Sequence, residues 1–504
     1  MNLDLPRLTA AELTLLLNNG KLTSLELVRQ CHAQMLEHNA HLNAVISISP
    51  LSYTESIAKQ LDEERRNGVV RSALHEIPFI VKDAMDTTDE FEVQSTNGGW
   101  AFVDSHPRET ANVIAKAVKA GLILVGKANL TVCIDATSNI SGGWSARGGQ
   151  MQSTYVSGEV IDDEHMNTSY AFQPLTTFSN PSGSSSGSAV AVSAGFAPLS
   201  IGADFNGSLT NPAIRAALYT IRTTPGIVSE HRCFPFSKNR DSVGPMAKTP
   251  EDLIAFLDVI VDTSHPKLPR RQWKDIAIAT LDPQHWHLPE SVQKPQPGAL
   301  DQIIRETLSA YQKIATLAKC VVGPVDLIDD ETLEENVGDV MKTIKNDFAG
   351  LFADYTEGLS TPKVRTLSDL IKFNEEHRDV ELPPQFPHQD KLIESNKDSN
   401  TLTEEGYTRL DTKATEAGAH NAIDRVLREH SVDVIMGPAD SLLPDVLALA
   451  SKASGYPAVT LPLSYLDWNG RPFGLLVVAS KFQEDPHLWA STFPPRRAPT
   501  LSSV

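Results

Sequence analysis

The sequence predicts an α/β fold. Three observations carry this expectation. Phe79-Ile80-Val81 is a short apolar run with the character of a buried strand. Residues 111–120 space their apolar positions as an amphipathic helix closed by Gly121, and residues 122–126 (LILVG) read as a second strand. Strand, helix and strand in succession form the unit from which helix-covered sheets are built. A further apolar run at 432–436 reads as a strand near the other end of the chain. The sheet segments therefore span the sequence and argue for one domain over residues 1–504 rather than two.

In chain order, residues 8–38 predict two helices. Leu13, Leu16 and Leu17 recur at helical spacing until Asn19-Gly20. Thr23 and Glu26 have the spacing of a capping box for the second helix, whose buried face would carry Leu25, Val28 and Cys31. Lys82 follows the first strand directly and precedes the acidic residues Asp83, Asp86, Asp89 and Glu90. A lysine at a strand end is ordinarily solvated. Buried, it loses proton affinity by desolvation and becomes a usable base. Residues 138–180 are polar, rich in Gly, Ser and Thr, and weakly periodic, which predicts a long ordered loop of the kind that often carries function. Trp144, Arg147 and Gln150 are its candidates to line an approach to the site.

Residues 181–212 organise the rest. They hold two serine clusters, Ser184-Ser185-Ser186 and Ser208, with Gly183, Gly187 and Gly207 beside them. Glycine admits positive φ and close approach of backbone N–H groups to a ligand. A serine in that setting can attack while nearby amides receive the developing negative charge. A Ser/Gly run also reads as a linker, but residues 189–194 (AVAVSA) continue as a buried small-residue helix. A phosphate loop is disfavoured, because Gly187 is followed by Ser188 and Ala189 with no lysine.

Beyond this stretch, residues 213–219 predict a helix. Another follows over 250–260, with Thr249 as N-cap and Glu251-Asp252 at its positive end. The proline- and charge-rich residues 266–297 predict a surface connection. Residues 300–318 and 333–352 carry helical spacing, and a helix ends near Glu429. His377 and His388 are read as surface or packing residues.

The stretch around the serines resembles the signature of the amidase signature family of serine hydrolases. The family pattern runs G-G-S-S-G-G-S and, about twenty residues on, D-x-G-G-S-x-R-x-P. The corresponding residues are Gly183-Ser184-Ser185-Ser186-Gly187-Ser188 and Asp204-Phe205-Asn206-Gly207-Ser208-Leu209-Thr210-Asn211-Pro212. A third element, V-K-D-x-x-D, matches Val81-Lys82-Asp83-Ala84-Met85-Asp86. Further likeness lies in Gly126-Lys127-Ala128-Asn129, Gly244-Pro245-Met246-Ala247-Lys248-Thr249, and the segments at 456–462 and 471–478. Lys127, the other candidate lysine, is read as structural.

The resemblance implies a large mixed β-sheet flanked by helices on both faces. The signature core would cover about 76–260, a variable substrate-pocket region about 265–430, and an irregular tail 489–504. It implies hydrolysis of a carboxylic amide through an acyl-enzyme, with no cofactor and no metal. Ser208 would be the nucleophile, Ser184 the bridging serine after a cis Gly183–Ser184 bond, and Lys82 the base. The amides of Phe205, Asn206, Gly207 and Ser208 would form the oxyanion hole. Asn206 and Thr210 depart from the family's glycine and arginine. The alternatives are one component of a glutamine-dependent amidotransferase and an impaired, non-catalytic binding protein.

Composition narrows the class. Of 504 residues 41% are hydrophobic, enough for a sizeable core. The net charge of −19, from 63 acidic and 44 basic residues, disfavours a nucleic-acid partner. Cys31, Cys133, Cys233 and Cys320 lie far apart without metal-ligand spacing and are expected as buried thiols in a reducing compartment. No signal peptide is read at the N-terminus, and no apolar run approaches the roughly 20 residues that span a bilayer. A soluble cytoplasmic protein is expected, with a small-molecule amide as partner and neither membrane nor nucleic acid. A homodimer stays open.

Overall fold

The computed structural model describes residues 2–131, 142–156, 181–262, 271–290 and 296–484. Its strands are β1 (Val45–Ile48), β2 (Pro78–Lys82), β3 (Ile123–Ala128), β4 (Trp144–Ser145), β5 (Gly149–Gln150), β6 (Leu199–Asp204), β7 (Tyr219–Arg222), β8 (Ser242–Ala247), β9 (Ala277–Thr280), β10 (Cys320–Val322), β11 (Val434–Pro438), β12 (Ala458–Tyr465) and β13 (Pro472–Ala479). Among the described residues, 11 of these form one sheet in the order β1-β3-β2-β6-β8-β7-β12-β13-β11-β9-β10, and β4 pairs with β5 as a separate hairpin. The sheet is mixed. β2 runs parallel to both β3 and β6, whereas β6 pairs antiparallel with β8, and β12 with β13.

Side chains of β2 alternate between two cores, as the period of a strand requires. Phe79 and Val81 pack with helices α1 (Ala10–Asn18), α4 (Asn112–Lys119) and α7 (Pro250–Ile260). Ile80 packs on the other face with α2 (Ser24–Leu42), α3 (Leu51–Arg66) and α5 (Ser186–Ser193). Helices thus cover both faces, and every residue of β2 is buried. The expected caps are present. Thr23 and Glu26 close a capping box on α2, and Thr249 accepts the Asp252 amide of α7. The Asp252 carboxylate reaches further, accepting the amides of Ala10 at 2.8 Å and Ala11 at 2.9 Å, so the first turn of α7 anchors the start of α1.

Several expectations are corrected. The stretch read as a surface connection over 266–297 contains β9, four buried residues seated between β10 and β11. Four residues are too few to declare a period; two flanking parallel strands supply the burial instead. The helix read over 213–219 is α6 (Thr210–Arg215), and Tyr219 already begins β7. Cys320 is exposed, because β10 is the last strand of the sheet, while Cys31 is buried as expected. Cys133, most of the loop over 138–180 and the tail over 489–504 lie outside the described residues. Among the described residues no helix is long and apolar enough to cross a membrane. The region after residue 296 includes two long helices, α8 (Ala299–Ala315) and α9 (Asp330–Glu357).

Candidate active site

Parallel pairing brings the motif residues to one edge of the sheet. Phe79 lies opposite Leu199 and Val81 opposite Ile201, so β2 and β6 end side by side. Lys82 closes β2 and Asp204 closes β6. In sheets with parallel strands, the ends from which loops leave together are where ligands bind.

Lys82 is 1% exposed, and its Nζ donates to Ser184 Oγ at 2.6 Å. The two serine loops are tied to one another. The Ser185 amide donates to the Ser208 carbonyl at 2.9 Å. Ser185 Oγ donates to the Ala203 carbonyl at 2.8 Å and accepts the Ala203 amide at 3.1 Å. Gly183 permits this approach. Its φ is 60°, and a Cβ there would sit 2.6 Å from Pro212 Cδ and 3.3 Å from Ser208 Cα. α5 follows and is buried on all sides.

The expected cis bond is not present. Among the described residues the cis peptide is Gly323–Pro324, and Gly183–Ser184 is trans. For a non-proline residue trans is favoured by about 3–4 kcal/mol. The chain turns here through positive φ at Ser182 (63°) and Gly183 instead.

The loop after β6 hangs from Asp204. Its carboxylate accepts the amides of Gly207 at 3.0 Å, Leu209 at 2.6 Å and Thr210 at 3.4 Å. It is also paired with the buried Arg222, whose Nε lies 3.3 Å away. Arg222 donates onward to the Tyr456 carbonyl at 3.1 Å and the Arg240 carbonyl at 3.2 Å. Burial pulls the Arg222 guanidinium below its ordinary value, and Asp204 opposes that shift. The left-handed residue of the loop is Gly207, at φ 99°, rather than Asn206.

Of the four amides expected to receive an oxyanion, that of Gly207 is therefore committed to Asp204. Those of Phe205, Asn206 and Ser208 make no hydrogen bond among the described residues. Asn206 Nδ2 donates to Asp445 Oδ1 at 3.3 Å, and burial pushes the Asp445 carboxyl up to about 6. Thr210, which stands where the family motif has arginine, is buried at the start of α6.

Lys82, Ser184 and Ser208 all line one cavity of about 260 Å³. Much of its wall was not legible in the sequence. Glu230, Cys233, Phe234 and Phe236 come from the segment between β7 and β8, Met341 and Leu351 from α9. No motif marks them; the Phe-Pro-Phe run at 234–236 was their one visible sign. The Glu230 carboxyl is raised by burial and paired with Lys452 at 2.6 Å. Asp241 is pushed by burial up to about 7, while its carboxylate accepts the amides of Phe236 and Ser237.

Trp144, Arg147 and Gln150 are not among the described residues that line the cavity. Trp144 packs on Phe386 with ring centroids 4.7 Å apart. Arg147 donates to Ser47 Oγ at 3.2 Å and Thr96 Oγ1 at 3.0 Å. Gln150 donates to the Gly142 and Met151 carbonyls. All three hold the β4–β5 hairpin in place. Lys127 is also structural. It is fully buried, donates to Ser95 Oγ at 2.8 Å and to the Met85 carbonyl, and is brought down to about 8 by burial against the pull of Asp83 and Asp86.

Known proteins resemble this chain over most of its length. The family model for amidases matches residues 26–145 and 153–488. A putative amidase of Schizosaccharomyces pombe is 27% identical over 526 aligned positions, covering 96% of this chain and 84% of that protein. A probable amidase of Arabidopsis thaliana is 26% identical, covering 94% and 87%. The crystal structure of a peptide amidase from Stenotrophomonas maltophilia superposes with a TM-score of 0.78 at 26% identity, covering 98% of each chain. A component of the glutamyl-tRNA(Gln) amidotransferase of Chloroflexus aggregans is 30% identical, but over only 51% of this chain and 47% of that protein.

Proposed function

The chain belongs to the amidase family, and from that premise we propose that it hydrolyses a carboxylic amide through Ser208, Ser184 and Lys82. The observation that carries this reading is the 2.6 Å contact between Lys82 Nζ and Ser184 Oγ, inside a cavity that Ser208 also lines.

A serine hydroxyl is a weak nucleophile until a neighbour takes its proton. Ser208 Oγ attacks the amide carbonyl while its proton passes to Ser184 Oγ, and the Ser184 proton passes to Lys82 Nζ. A C–O bond forms and the carbonyl π pair moves to oxygen. The resulting oxyanion is received by the amides of Phe205, Asn206 and Ser208. Each donor of that kind is worth about 3–4 kcal/mol in the transition state. The C–N bond then breaks as the relay runs backwards and protonates the departing nitrogen. Water enters by the same route, giving the acid and free Ser208.

One contrast supports the assignment of Lys82 over Lys127. Lys82 lines the cavity, whereas Lys127 donates to Ser95 and Met85, neither of which borders it. A fluorophosphonate probe tests the reading. Wild type is expected to label and to release ammonia from primary amides, and Ser208→Ala to do neither while melting like wild type. Equal labelling of the two proteins would remove Ser208 from the mechanism. The partial likeness to an amidotransferase component supports a second reading in which glutamine is the substrate. Ammonia release from glutamine by the purified chain distinguishes it.

A further inference from the structure

Deepening the proposed amidase reading, on which it rests, we propose that the substrate is an aromatic carboxamide, with a ring within one or two bonds of the carbonyl carbon. The preference is set by Phe205, Phe234 and Phe236.

The chain has 17 phenylalanines, and aromatic residues make up only 6% of it. Yet Phe102, Phe205, Phe234, Phe236, Phe348 and Phe352 form one connected set of ring contacts. Phe205 meets Phe236 at 5.1 Å between centroids, Phe236 meets Phe348 at 6.4 Å, and Phe234 meets Phe348 at 6.4 Å and Phe352 at 6.2 Å. Phe102 meets Phe234 at 6.1 Å. A buried aromatic cluster needs no function beyond packing. Here its inner edge, the residues Phe205, Phe234 and Phe236, borders the cavity that holds Lys82, Ser184 and Ser208.

Those three rings are held by their backbones. The Phe234 amide donates to the Ala84 carbonyl at 2.7 Å, two residues from Lys82. The Phe236 amide donates to Asp241 at 2.8 Å, and Phe205 directly follows Asp204, the anchor of the nucleophile loop. A wall fixed before binding costs little to order when a ligand arrives. Aromatic rings gain both area burial and edge or offset contact from another ring.

Part of the cavity's described polar lining is engaged already, though Glu230 Oε1 is buried without a hydrogen-bond partner among the described residues. Glu230 pairs with Lys452, Asp241 accepts two backbone amides, and Lys238 is exposed. At about 260 Å³ the space is small for a ligand site. It has room for one ring and a carboxamide.

The experiment compares ammonia release from benzamide and phenylacetamide with that from acetamide and propionamide, using the full chain. The aromatic amides are expected to have kcat/KM at least tenfold higher. Phe236→Ala is expected to lower that ratio at least tenfold, mainly through KM, and Phe236→Leu to lower it less. Thermal melts of both variants establish that they fold. Protection against fluorophosphonate labelling gives a readout independent of turnover, with phenylacetamide expected to protect at lower concentration than propionamide. Labelling of Ser208 together with equal or better use of, or protection by, the short aliphatic amides would overturn the aromatic preference alone. So would a ratio unmoved in both Phe236 variants. Absence of labelling would instead overturn the hydrolase reading beneath it.

Discussion

Asp204 gathers three backbone amides and the Arg222 guanidinium on one buried carboxylate, and so holds the loop that carries Ser208. Removing its charge leaves Arg222 buried without a counter-ion, a situation that typically costs about 3–5 kcal/mol. Asp204→Asn is therefore expected to lower stability by that order in denaturant unfolding, with activity falling as the loop loosens. An unchanged midpoint would show that Arg222 finds compensation from its carbonyl partners. Lys82→Met keeps a buried chain of similar length but no proton acceptor. Loss of a general base typically costs about 10²–10⁴-fold, expected here in kcat with the fold intact by circular dichroism. Lys82, Ser184 and Ser208 were legible as candidates because spaced motifs single them out. The role of Trp144, Arg147 and Gln150 was not legible, because a residue in a Gly-rich loop looks alike whether it faces a ligand or fastens a hairpin. The need for glycine at 207 is visible in the sequence, but the commitment of its amide to Asp204 depends on where β6 ends in space.

At the scale of elements, the turn after β2 is clamped from the far side by α9. Tyr355 Oη donates to Asp86 Oδ1 at 2.8 Å and accepts from Asn97 Nδ2 at 2.9 Å. Arg232 pairs with Asp86 and lies 5.1 Å over the Tyr355 ring, and the Asp86 amide donates to the Arg232 carbonyl. The same helix supplies Met341 and Leu351 to the cavity. Tyr355→Phe leaves two buried partners short of a hydrogen bond, expected to cost about 1–3 kcal/mol in thermal or denaturant unfolding. Thr249→Ala removes the side-chain cap of α7 and is expected to cost about 1 kcal/mol. Helices with such caps and regular apolar spacing were legible in the sequence. β9 was not, since its four residues gain their identity from the strands on either side. The start of α6 at Thr210 was also hidden, because Asn211-Pro212 reads as a turn until the Asp204 carboxylate fixes the amides before it.

For the whole molecule, burial holds several carboxyls above their ordinary values. Glu76 and Asp241 are pushed up to about 7, and Asp445 to about 6. Between the unfolded values and these, the native chain binds more protons than the unfolded one. The stability they contribute is full below about pH 4 and is lost as pH rises through 6 to 7. The melting temperature is expected to fall from pH 5 to pH 8. In Asp241→Asn the fall should be shallower, and an identical slope in the variant would remove Asp241 from the account. The sequence by itself determined the α/β class, many of the helices, a minority of the strands, and which lysine and serines to watch. Each of these is written locally, in periodicity, caps and short motifs. Only the tertiary structure decided that β2 and β6 end at one edge, which amides stay open there, and that an aromatic wall from two distant segments closes on the serines. The first of those facts joins strands more than a hundred positions apart, and in none of them does a local pattern encode which partner a buried group will meet.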